Sequence, residues 1–352
     1  MGEADREPRQ QVPAGSAAPA SPPVAWNWSS ALRGACCSLP PATAAFFDVR
    51  VGAALAIGVI PAAIVPLAAR RAKRWMTVVI GFLTGVSLLA GALLAQVAWL
   101  AVVGIFVLAV GASLLAARRL HGMIALTLCL PLIAVGFSYP GWSPAGWLSL
   151  IIIAGSLYTW LVSLAWPERP PPATRQPGAP DRGALLRFGL AAGTAGAVCA
   201  ALGFIAGLEH VGWAPASALL VMRPSADMQR LRSIGRVASV VAGALAGIAC
   251  IEARLSSVLF AAAVALAVTA ATALATSSWY LTPGFTTFFV FLLLLAGNQG
   301  AASGRFWERV AETALGVGVA YLCGAFIPRL AAAAASPRLT SRDAAHRTKP
   351  GR

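Results

Sequence analysis

Charge is scarce in this chain. Only 11% of its 352 residues are charged, against about 25% in soluble domains. That deficit, with a 58% hydrophobic composition and a mean hydropathy of +0.75, excludes a soluble globular protein. Lysine is nearly absent, at Lys73 and Lys349, and acidic residues number 12, so arginine carries the net charge of +15. The basic residues cluster in short loops and tails between apolar runs. That placement is the signature of cytoplasmic loops and argues against a nucleic-acid partner. The six cysteines have no metal spacing: Cys36 and Cys37 are adjacent outside the apolar runs, and Cys129, Cys199, Cys250 and Cys323 lie singly within them. They read as small hydrophobes. No GxxxxGK[ST] loop is present, which excludes a P-loop ATPase, and no paired His/Asp motif points to a metal, a cofactor or an enzyme. A secretory signal is not expected either, because the first apolar stretch begins only near Phe46 and further ones follow.

What is present is a series of apolar runs, at roughly 46–69, 75–96, 99–117, 122–138 and 147–166, then 184–207, 213–222, 234–253, 256–276, 280–297 and 308–328. Most are long enough to cross a hydrocarbon core of about 30 Å as a helix. The predicted fold is an all-α polytopic membrane protein of 11–12 segments, in two similar bundles over 46–166 and 184–330. Residues 1–45 are rich in Ala, Pro and Ser and predict a disordered tail, 167–183 a linker, and 331–352 a basic tail against lipid headgroups. Two segments are unusual. Trp213–Met222 is too short to cross alone, and 46–69 contains Pro61 and Pro66, so that it either crosses once or forms a hairpin. Broken segments at matching places in two halves point to a site near the membrane midplane.

Arginine supplies the candidate chemistry. Arg223, Arg230, Arg232 and Arg236 run directly into an apolar span. Seven residues separate Arg74 from Gly81, Arg236 from Gly243, and Arg309 from Gly316. That is close to two helical turns, so each arginine shares a face with its glycine at about 10.5 Å. Gly81 and Gly85, and Gly243 and Gly247, are GxxxG pairs that let helices approach closely. The arginines then read either as snorkelling anchors or as an anion path comprising Arg223, Arg232, Arg236 and Arg309. Glu312 lies inside an apolar run and needs a partner or a proton. It is a proton-coupling candidate, with a structural pair to Arg309 as the alternative. His210, in a poorly charged outer loop, is the second coupling candidate. Trp142, Trp147, Trp213, Trp279 and Tyr280 read as interfacial belt residues, and Asn298 and Gln299 as a helix cap or substrate contact.

The segment from Trp213 to Pro224, the arginines after it and the Arg236 to Gly243 spacing resemble the signature of the fusaric-acid-resistance family. That signature is a short "yW..lta.lvl.P" element, then arginines, then "R..GT..G". Arg309-Val-Ala-Glu312-Thr313-Ala-Leu-Gly316 resembles the family's returning "R..[DE]T..G" element. Ser239 and Val240 stand where the first motif has Gly-Thr. The resemblance covers about 184–330 and reaches the first half only through the internal repeat. It implies a multi-pass bacterial inner-membrane transporter that exports aromatic carboxylic acids. Related plant anion channels imply a basic pore between two bundles. The expected partners are an organic anion and membrane lipids, with a homo-oligomer left open. A passive anion channel and a non-transporting scaffold are the alternatives.

Overall fold

A computed structural model describes residues 25–118, 124–139, 141–168, 181–223, 226–275, 281–296 and 302–326. The described residues form helices and no strand. The first six helices are α1 (Trp28–Phe47), α2 (Val49–Ala63), α3 (Met76–Leu94), α4 (Ala98–Arg118), α5 (Leu130–Gly136, continuing a π-helical turn at Ala125–Cys129) and α6 (Trp142–Leu164). The next six are α7 (Arg182–Ile205), α8 (Trp213–Val221), α9 (Ala226–Glu252), α10 (Ser257–Leu274), α11 (Thr282–Leu295) and α12 (Ala302–Tyr321). Among the described residues six helices are long and apolar enough to cross a membrane, and large side chains such as Leu150, Val258 and Leu266 point outward as a lipid-facing surface requires. The all-α polytopic fold is as predicted.

The structureless tail expected over 1–45 does not hold from Trp28 onward. Asn27 caps α1 by accepting a hydrogen bond from the Ser30 amide at 2.9 Å, and the helix continues through Pro40 and Pro41 to Phe47. Asp48 then closes α1 and opens α2. Its amide donates to the Ala44 carbonyl, while its carboxylate accepts from the amide of Arg50 at 2.7 Å. The 46–69 run therefore contains a helix boundary at Asp48 and one apolar helix, α2, ending before Pro66. Asp181 caps α7 in the same manner through Gly183 and Ala184. Residues 1–24, most of the 167–183 linker, Trp279, Tyr280, Asn298, Gln299 and the 331–352 tail lie outside the described residues.

Helix packing repeats with a shift of six. In the first series α1 packs on α2, α2 on α6, and α3 on both α5 and α6. In the second, α7 packs on α8, α8 on α12, and α9 on both α11 and α12. The series also exchange contacts. Helix α1 lies along α10 while α7 lies along α4, and α2 meets α11 while α8 meets α5. Glycines mark these crossings: Gly34 rests on Thr269 and Thr272, and Gly189 rests on Ser113. The halves are interlocked rather than set side by side.

Chain direction alternates between two ends. At the basic end, Asn27, Arg33, Ala68, Arg74, Trp166 and Thr272 surround one small cavity. Arg74 is fully buried there. Its guanidinium donates to the carbonyls of Ala68, Ser163, Trp166 and Pro167, so it caps the C-terminal end of α6. At the opposite end, Asp48 and Arg50 gather with Arg254 and Leu255.

Candidate functional site

Helix α8 has nine residues, about 13.5 Å of helix, less than half of a ~30 Å hydrocarbon core. All but Leu220 are buried by protein. Such a helix is stable only inside a bundle, and it positions the site. Before it, α7 ends in a Schellman turn: Gly207 adopts φ +63° and the Leu208 amide donates to the Gly203 carbonyl. The following loop carries Glu209 and His210 back over the bundle.

A cavity of about 200 Å³ occupies the centre. Its walls come from α2, α3, α5 and α6, and from their six-shifted counterparts α8, α9, α11 and α12. The first series contributes Ile57, Thr84, Leu88, Leu132, Leu148 and Ile152, with Tyr139 just beyond α5. The second contributes Trp213, Arg236, Thr286 and Arg309. A second space of about 340 Å³ adjoins it towards the basic end, lined by Ile64, Val221 and Arg232. The two share Leu220, Arg236, Pro283 and Thr286 as walls, so they form a vestibule and a chamber that meet at Arg236.

Arg236 is 9% exposed and Arg309 8%. Among the described residues neither guanidinium has a carboxylate within ion-pair distance, and the Nε of each has no hydrogen-bond partner. Arg309 instead lies over the Trp213 ring at 4.2 Å from its centroid. Trp213 also stacks on His210, with centroids 4.0 Å apart and planes 13° from parallel. The expected belt role of Trp213 is thus overturned: it is 3% exposed, packed between a cation and an imidazole. Glu312, 2% exposed, makes no ion pair with Arg309, and neither carboxylate oxygen has a hydrogen-bond partner among the described residues.

Charged groups link the loop before α8 to the start of α12 at the non-basic end. Arg305 donates to Glu209 and to Glu308, the latter at 3.3 Å, and His210 Nδ1 lies 3.2 Å from Glu308. The Gly212 amide donates to Ser138 at 3.1 Å, tying the same loop to the α5–α6 turn. The hydrogen bond from Arg305 holds the Glu209 carboxyl below the usual carboxylate range. Burial pulls His210 below the usual histidine range, with Glu308 opposing. Side-chain atoms of Glu209, His210 and Glu308 lie within 4.8 Å of one another, the spacing of a metal site. Arg305 occupies the place a cation would take.

The other expected residues fall as follows. Arg232 lines the vestibule. Arg223 is partly buried, donates to its neighbour's carbonyl at Met222, and does not line the chamber. Arg74 is a helix cap at the basic end and not part of the path. Gly81 faces Ser156, Gly85 faces Ser149 and Ile153, Gly243 faces Gly284, Gly247 faces Phe288 and Phe291, and Gly316 faces Ala214 and Ser217. Tyr139, within electrostatic reach of Arg309, had no signal in the sequence, since a lone tyrosine in a Gly/Pro turn looks interfacial.

Residues 197–323, from the middle of α7 through α12, match the family model described as fusaric acid resistance protein-like. The second half of the chain carries a fusaric acid resistance protein-like domain. That domain contains α8, α9 and α12 and hence both chamber arginines. No curated protein and no solved structure matches the chain. It is a multi-pass membrane protein.

Proposed function

We propose that the chain exports organic, chiefly aromatic, carboxylate anions across a bacterial inner membrane. One observation carries this reading: two buried guanidinium groups, neither with a carboxylate within ion-pair distance among the described residues, face one chamber. A buried unpaired charge costs several kcal/mol, and a carboxylate bound between Arg236 and Arg309 would supply charge-assisted hydrogen bonds. Apolar space of about 150 Å³ holds benzene, so a chamber of about 200 Å³ suits an aromatic ring with one carboxylate. The vestibule with Arg232 provides positive potential on the approach. The family description, resistance to an acid, accords with removal of that acid from the cell.

We read the charged cluster at the non-basic end as a closure of the chamber, which favours a carrier over a passive channel, since a channel would need a continuous pore. Glu312, on the same helix face as Arg309, is the proton-coupling residue in this reading; His210 is tied to Glu308 in the closure. Benzoate flux into proteoliposomes, with and without a pH gradient, tests it. Arg236→Gln and Arg309→Gln should each lower flux at least tenfold at equal protein content. Glu312→Gln should leave downhill flux and remove its acceleration by the gradient. Unchanged flux in both arginine variants would leave a scaffold as the better reading, and large currents that follow voltage alone would establish a channel.

A further inference from the structure

The seven-residue spacing that marks the chamber arginines recurs in the first half without the arginines. Gly91 is where α3 crosses α5, against Ile133 and Gly136, and Gly243 is where α9 crosses α11, against Gly284. Seven residues before them stand Thr84 and Arg236. Gly155 is where α6 crosses α2, against Gly58, and Gly316 is where α12 crosses α8, against Ala214 and Ser217. Seven residues before those stand Leu148 and Arg309. All four residues line the chamber. Thr84 and Leu148 therefore occupy the places on the first-half wall that Arg236 and Arg309 occupy on the second.

The chamber is thus similar in shape on its two sides and unlike in chemistry. Thr84 spends its hydroxyl on the Ile80 carbonyl at 2.8 Å, leaving its methyl for the chamber. Leu88, Leu132, Leu148 and Ile152 complete an apolar surface. Tyr139, the other polar side chain that the first half brings to the chamber, lies within electrostatic reach of Arg309 and apart from this patch in chemistry. A carboxylate placed there would lose its hydration without gaining a donor, a penalty of several kcal/mol. A ring or alkyl group placed there would gain about 25 cal/mol for each Å² buried.

We infer that the first-half wall, through Thr84 and Leu148, is the specificity determinant of the chamber: it admits anions charged at one end and rejects those charged at both. The second half holds the carboxylate and the first half holds the uncharged end, so the substrate binds in one orientation. This inference rests on the reading of Arg236 and Arg309 as the anion-binding pair.

The test is proteoliposome flux of three probes, benzoate, terephthalate and 2-naphthoate. The wild type should move benzoate and exclude terephthalate, which carries carboxylates at opposite ends. Thr84→Arg, placing a cation opposite Arg236, should raise the terephthalate-to-benzoate ratio at least tenfold. A Thr84→Arg protein with wild-type melting behaviour that still excludes terephthalate would overturn the inference. Should that variant fail to fold, Leu148→Ala decides: the enlarged apolar wall should raise the naphthoate-to-benzoate ratio severalfold, and an unchanged ratio would overturn the inference. Arg236→Gln and Arg309→Gln, run in parallel, separate the two readings. If they abolish benzoate flux while the first-half variants leave both ratios unchanged, the anion-binding pair stands and the specificity wall does not. If they transport benzoate at the wild-type rate, both readings fall.

Discussion

Trp213 shows how a single residue changes meaning between sequence and structure. In the sequence it stands beside a poorly charged loop, where a tryptophan reads as an interfacial anchor. In the fold its ring carries Arg309 on the chamber side and stacks with His210 in the charged cluster. Truncating a buried aromatic costs about 3–5 kcal/mol, and the cation–π contact adds about 2 kcal/mol where water is excluded. Trp213→Phe should keep most of both, whereas Trp213→Leu should lower Tm by several degrees and reduce benzoate flux. Equal melting and flux in the two variants would remove any role for the ring face. Glu209 offers a pH test at the same scale. Its folded carboxyl is depressed by Arg305, so its stabilising contribution is complete above the unfolded carboxylate range and is lost as pH falls through the depressed value. The Glu209 side chain is 62% exposed, so the contribution is below about 1 kcal/mol after solvent screening. Thermal melts of Glu209→Gln should sit slightly below wild type at neutral pH and converge with it in strong acid. A constant gap across that titration would mean that the bond to Arg305 contributes nothing.

Among the helices, glycines set how closely partners can approach. A Cβ on Gly243 would fall 2.8–2.9 Å from backbone carbons of Gly284, and neither backbone can yield as a flexible side chain would. Gly243→Ala should therefore push α9 from α11, move Arg236 with it, and cost about 1–3 kcal/mol as overpacking does. Gly318, in α12, has nothing among the described residues within 4 Å of its Cβ position. Gly318→Ala should be neutral or stabilising by up to about 1 kcal/mol. Melting in detergent distinguishes the two, and similar shifts would refute the crowding argument. The helices themselves were largely legible from the sequence because a membrane span needs a long apolar run. Helix α1 was not. It holds Arg33, Pro40 and Pro41, and its helical state depends on packing along α10 and on Arg33 donating to the Ala63 carbonyl at 2.9 Å. Neither interaction leaves a local pattern. The arginine–glycine spacing found Arg236 and Arg309, but it also selected Arg74. The true first-half counterparts, Thr84 and Leu148, carry no charge to draw attention.

For the whole molecule, the position of α1 decides the topology. With α1 as a crossing, each series has six helices and the second begins at the same end as the first. Asn27 lies beside Ala273 at the C-terminal end of α10, its amide donating to that carbonyl at 3.3 Å, and Arg71 lies beside Glu168 through an amide donor at 2.7 Å. The start of α1, the start of α3 and the end of α6 therefore share the basic end, and the bias of basic loops predicts that this end is cytoplasmic. Asp48, Arg50 and Arg254 belong to the opposite end. With the six native cysteines replaced by alanine or serine, single cysteines at Trp28, Arg71, Arg50 and Arg254 make this a direct measurement. A membrane-impermeant maleimide added to intact cells should label Arg50→Cys and Arg254→Cys. It should reach Trp28→Cys and Arg71→Cys only after the membrane is opened. Labelling of Trp28→Cys together with Arg50→Cys in intact cells would mean that α1 does not cross. The first series would then start at α2, at the end opposite to the start of the second, and the six-shift correspondence that brings Thr84 opposite Arg236 would not hold in the membrane.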